Sequence, residues 1–75
     1  MLKIISPAQC RGGRALLDMT QHQLASIAGL GLSTVVDFER QRRTVSEEAV
    51  RKMQEALEKA GPHALRTNNL ANRLS

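Results

Sequence analysis

The chain predicts an all-α fold of four to five short helices, and three observations carry that expectation. Apolar residues recur three and four positions apart in successive short runs. Ser6, Thr20 and Ser46 stand where three of those runs begin, each with a cap-competent hydroxyl. Gly29 and Gly61 stand where two of them should stop.

Residues 1–5, MLKII, read as an N-terminal arm that either packs in extended form or frays. Ser6-Pro7-Ala8-Gln9 then opens helix one. Ser6 caps, Pro7 suits the first helical position, and Gln9 completes a capping box. The helix should reach about Leu17. Gly12 and Gly13 weaken it by up to ~1 kcal/mol each relative to Ala, and would let another helix come close. Arg11-Gly12-Gly13-Arg14 resembles an RNA-binding RGG element, but one copy within a helical pattern is better read as backbone packing. Cys10 has no neighbour that suggests a metal cluster or a catalytic base and is expected as a buried structural thiol.

The stretch from Gln21 to Arg40, QHQLASIAGLGLSTVVDFER, organises the rest. Thr20 and Gln23 form a second capping box, and helix two should run from Gln21 to Ala28. Leu24, Ile27 and Ala28 share one face. Gly29 accepts a left-handed stop without steric cost. Leu30 points back as a plug, and Ala25 lies where the helices cross. Helix three follows, from about Leu32 to Arg40, with Val35, Phe38 and Glu39 inward and Ser33, Val36, Asp37 and Arg40 outward. Helix four begins at Ser46, carries Glu47 and Glu48 in its first turn, and is stapled by Val45 and Val50. Val50, Met53, Leu57 and Ala60 form its apolar face. Gly61-Pro62 ends it. Residues 62–75 form a basic tail, weakly ordered or a short fifth helix.

Seventy-five residues make one small domain, which buries only about 60% of its unfolded surface. A single cysteine excludes a disulfide framework and suits a reducing cytosol. No apolar run is long enough to span a membrane, and no signal peptide is expected. Eleven Lys and Arg against seven Asp and Glu leave a net charge of +4, which favours a polyanionic partner. Arg40, Arg42 and Arg43 cluster just after helix three. His22 and His63 lie far apart, and there is no nucleophile elbow, phosphate-cradling glycine loop or metal-spaced ligand set. Neither enzymatic activity nor a cofactor or metal is expected.

The run Thr20-Gln21-x-x-Leu24-Ala25-x-x-Ala28-Gly29-Leu30-x-x-Ser33-Thr34-Val35-x-x-Phe38-Glu39 resembles the lambda-repressor-like helix-turn-helix domain in its XRE-type branch. The resemblance extends over residues 6–60 and implies a compact DNA-binding domain at 6–61, with its helix-turn-helix at 20–40. It implies an ion pair between Arg14 and Glu39 that also carries Arg14 near a phosphate. It places Gln21 on a phosphate, and Leu32, Ser33 and Asp37 at bases. Val36 joins them, since Leu32 or Val36 suits a thymine methyl and Ser33 any base. Asp37 either accepts from a cytosine or pairs with Arg40. Thr34, Arg40, Arg42 and Arg43 are further phosphate candidates. One departure stands out: Gln41 occupies the place where the family usually has glycine. Either helix three ends differently or the loop is strained by ~1 kcal/mol.

The expected function is sequence-specific binding of double-stranded DNA by a transcriptional regulator, a repressor acting as a homodimer. Its setting is the cytoplasm, at the nucleoid when bound, with no membrane partner and no effector within the chain. The alternative is a protein-interaction module of the same fold, such as an antitoxin subunit or a coactivator-like adaptor.

Overall fold

The computed structural model describes residues 4–61. Four helices follow one another: α1 (Pro7–Leu16), α2 (Gln21–Ala28), α3 (Leu32–Glu39) and α4 (Glu47–Ala60). No strand occurs among the described residues. The tail beyond Gly61 and its postulated fifth helix lie outside them.

Local chemistry sets the helix starts. Ser6 Oγ accepts the Gln9 N–H at 3.1 Å while Gln9 Oε1 accepts the Ser6 N–H at 2.8 Å. Thr20 and Gln23 repeat the exchange at 3.0 and 2.8 Å. Each box satisfies one of the amides that a helix start leaves without an intrahelical partner, and the cap's own N–H besides. Ser46 Oγ accepts the Ala49 N–H at 3.1 Å, and Val45 and Val50 are both buried beside it. Only α3 starts without a side-chain cap, at Gly31.

The first three helices end alike. The chain turns left-handed at Asp18 (φ 55°), Gly29 (φ 74°) and Gln41 (φ 57°). The next N–H then reaches back over the last turn: Met19 to the Arg14 carbonyl at 2.8 Å, Leu30 to Ala25 at 2.9 Å, and Arg42 to Asp37 at 2.9 Å. This closure satisfies terminal carbonyls that have no partner within the helix. Glycine occupies the turn only in α2. Of the two alternatives open for Gln41, the strained left-handed stop is the one adopted. Asp18 does the same at a position with no glycine to announce it.

Cys10, Leu24, Val35, Met53 and Leu57 are fully buried, and Ile5, Ala25, Val50 and Ala56 pack around them. Leu30 and Phe38 close the core from its edge, partly buried. Ile27 does not join Leu24 as expected, for it is 55% exposed. At about 100° per residue, Leu24, Ala28 and Ala25 span an arc of about 100° that faces α3 and α4. Ile27 falls about 60° beyond the Leu24 edge of that arc. Likewise only Gly13 is buried; Gly12 is exposed and has nothing within 4 Å of where a Cβ would stand. The arm docks at its last residue, where the Ile5 N–H donates to Gln54 Oε1 at 3.2 Å.

Candidate nucleic-acid interface

The position of α3 is set by one buried carboxylate. Glu39, at the end of α3, is 1% exposed and accepts from four side-chain donors. Arg14 Nε reaches Oε2 and Arg14 Nη2 reaches Oε1, each at 2.7 Å. Gln21 Nε2 donates to Oε1 at 3.0 Å, and Cys10 Sγ to Oε2 at 3.0 Å. Arg11 Nη1 holds the Glu39 carbonyl. Residues of α1 and α2 therefore converge on one end of α3. Such convergence is how a charge can be buried without being left unpaired.

The electrostatics follow from that geometry. Burial alone would raise the Glu39 pKa, but the hydrogen bonds from Arg14, Cys10 and Gln21, with the Arg14 charge, outweigh it and hold the carboxyl below its ordinary value. The same bond to Glu39 raises the Arg14 pKa. Burial, then the hydrogen bond and charge of Glu39, push the Cys10 thiol far up. Cys10 is thus a neutral S–H donor as well as a packing residue.

This hub engages two expected phosphate ligands. Arg14 also donates through Nη1 to the Met19 carbonyl at 2.9 Å, and its side chain is 17% exposed. Three of its five N–H groups are engaged, one on each nitrogen, so Arg14 ties α3 to the scaffold, and one hydrogen on each Nη has no partner among the described residues. Gln21 has one amide hydrogen committed to Glu39. What remains at the start of α2 is its second amide hydrogen and the unpaired first-turn backbone N–H groups, aligned with the positive end of the helix dipole.

The opposite side of α3 is open. With Val35 and Glu39 buried, Ser33 lies across the helix from them and is exposed, as are Leu32 and Arg40. Thr34 and Val36 are half-buried at the flanks, and Asp37 is half-buried on the Ser33 side. Asp37 does not pair with Arg40: its Oδ2 accepts from Arg43 Nε at 2.7 Å. Arg40 and Arg42 are exposed and have no ion-pair partner among the described residues. The charges of α4 instead face one another in exposed i, i+4 pairs, Glu47 with Arg51 at 3.8 Å and Glu48 with Lys52 at 3.9 Å. Positive charge not matched locally thus gathers at the end of α3.

Sequence reasoning missed five of these contacts, among them Gln21 on Glu39 and Arg14 on the Met19 carbonyl. Cys10 and Arg14 are four residues apart on one helical face, so the expected Arg14–Glu39 pair was a signal that Cys10 lies near the same carboxylate. Arg11 on the Glu39 carbonyl and Arg43 on Asp37 leave no periodic trace, because each depends on how the chain is folded back.

No helix among the described residues is long and apolar enough to cross a membrane. A search of curated proteins finds no match. A family model described as helix-turn-helix matches residues 13–60, well over half of the chain, from inside α1 to the end of α4. The matched span holds the Arg14–Glu39 clamp, the Gly29 turn and the open side of α3. The chain therefore belongs to the lambda-repressor-like helix-turn-helix family, in its XRE-type branch of DNA-binding regulators.

Proposed function

We propose that this chain is a sequence-specific transcriptional repressor that lays α3 in the major groove of double-stranded DNA as a homodimer. The observation that carries the reading is the two-sided character of α3. Val35 and Glu39 anchor one side in the protein, Ser33 stands free on the other, and Leu32 is exposed at the first turn. The first residues of a groove-bound helix are those that meet base edges. Ser33 hydrogen-bonds any base, and Leu32 and Val36 suit a thymine methyl. Arg40 and Arg42, with Thr34 and the start of α2, grip phosphates on either side. One such module reads only a few base pairs. A homodimer reads two half-sites about 34–36 Å apart on one face of the duplex. Occupying a promoter in this way represses by exclusion. Such a protein works in the cytoplasm, on the nucleoid.

Binding-site selection from random duplexes, run with the full chain at two salt concentrations, tests this. A selected motif with two related half-sites is expected, with affinity falling at a log–log slope of about −0.9 per phosphate neutralised. Ser33→Ala should change the preferred base and keep the slope. Arg42→Ala should flatten the slope by about one and keep the preference. Indifference to every duplex in dilute buffer would overturn the reading.

A further inference from the structure

We propose that Arg43 reads a guanine and that Asp37 is the positioning residue that aims it. The inference rests on α3 lying in the major groove and names a specificity determinant for it. Asp37 lies four residues after Ser33, on the same side of α3. Arg43 Nε donates to Asp37 Oδ2 at 2.7 Å, with side chains 53% and 19% exposed for Arg43 and Asp37. Bonding through Nε occupies a lateral donor of the guanidinium. The terminal Nη1 and Nη2 groups have no protein partner among the described residues. That terminal fork matches the O6 and N7 acceptors of guanine.

The backbone delivers the arginine to that place. Gln41 turns left-handed at φ 57°, and the Arg42 N–H closes on the Asp37 carbonyl at 2.9 Å. Arg43 therefore leaves the chain beside the last turn of α3, and both members of the pair are held by one hydrogen-bonded closure. A base edge demands such aim, whereas a phosphate accepts a donor from many directions. A carboxylate is also a poor companion for a phosphate clamp, because it cancels the charge that does the clamping. It is a good companion for a base reader: it fixes the plane of the guanidinium, and its own charge is neutralised where phosphates pass near. Arg40 and Arg42, which lack such a companion, fit the phosphate role.

The test uses the full chain on its selected site and on duplexes altered one base pair at a time. Arg43→Lys should lose discrimination at one G·C pair by roughly 5- to 150-fold, with the salt slope changed by less than about half a unit. Asp37→Asn should weaken discrimination at that same pair while binding unrelated duplex more tightly. The double variant should discriminate no worse than Arg43→Lys alone. The pair is exposed enough that these variants remain folded. If Arg43→Lys leaves every base preference intact and Arg43→Ala flattens the salt slope by about one, Arg43 is a phosphate clamp and the inference is overturned. It is equally overturned if Asp37→Asn alone shifts the preference at a pair that Arg43→Lys leaves untouched. In either case Ser33→Ala still changes the preferred base. A wild-type protein that selects no sequence sinks the inference together with the groove reading beneath it.

Discussion

Arg14 grips Glu39 along one edge of each group, Nε on Oε2 and Nη2 on Oε1, both at 2.7 Å. The two residues lie on α1 and α3, so the contact joins the scaffold to the helix proposed to read DNA. Removing one partner leaves the other charge in a poorly solvated place, which costs about 3 kcal/mol or more. A domain of this size has a total stability on the order of 5 kcal/mol. Arg14→Ala is therefore expected to bring the protein near its unfolding threshold. Arg11→Ala removes one hydrogen bond made from an exposed side chain to the Glu39 carbonyl, worth about 1 kcal/mol. Urea titrations of both variants check the difference; equal midpoints would refute it.

The acid limb of stability should carry the Glu39 signature. Its carboxyl is held below its ordinary value in the folded protein. A lowered folded pKa contributes stability that is complete above the unfolded value, about 4.3, and is lost as pH falls through the folded one. Unfolding free energies measured from pH 7 down to pH 2 should decline below about pH 4–5. Glu39→Gln should be less stable at neutral pH yet lose less on acidification. A parallel decline in both proteins would assign the acid sensitivity elsewhere.

Cys10 should be silent toward thiol reagents in the native state. It is fully buried, and burial and Glu39 together keep it protonated, whereas the thiolate is the nucleophile. Labelling by an aromatic disulfide is expected only through global unfolding, at a rate that rises with urea as the unfolding rate does. Rapid labelling of folded protein would contradict the buried S–H···Glu39 contact.

Two left-handed turns without glycine invite stabilisation. Asp18 and Gln41 sit at φ 55° and 57°, where a Cβ is crowded and glycine is not. Asp18→Gly and Gln41→Gly should each gain about 0.5–1 kcal/mol, after the extra freedom glycine brings to the unfolded chain is deducted. Thermal melts read the gain. Gln41→Gly should leave the selected DNA motif unchanged, because the closure around Arg42 and Arg43 is kept.

Gly12 and Gly61 should respond oppositely to alanine. Nothing lies within 4 Å of a Cβ at Gly12, so Gly12→Ala should stabilise α1 by about 0.5–1 kcal/mol. At Gly61 a Cβ would overlap the Leu17 Cδ2 methyl. Its φ of −156° is open to any residue, so what an added Cβ meets is the Leu17 side chain, which must shift, and not the turn. Gly61→Ala should cost about 1–3 kcal/mol. A larger cavity at position 17, in Leu17→Ala, should rescue part of that loss when the two are combined.

What the order of residues determines by itself here is the local grammar: capping boxes at Ser6 and Thr20, the hydroxyl cap at Ser46, the glycine stop at Gly29, and the register of α2, α3 and α4. These rest on atoms within a few positions of one another, so spacing alone exposes them. Periodicity also separated the buried Val35 and Glu39 from the open Ser33. Other features were decided by the tertiary structure. Ile27 fell outside the core because the arc that α3 and α4 cover runs from Leu24 to Ala25 and stops short of it. The side chain of Gln21 turned inward because Glu39 needed donors once it was buried. Asp37 met Arg43 instead of Arg40 because the chain reverses at Gln41. In each case the outcome depended on which surfaces were desolvated together, and desolvation belongs to the assembled fold.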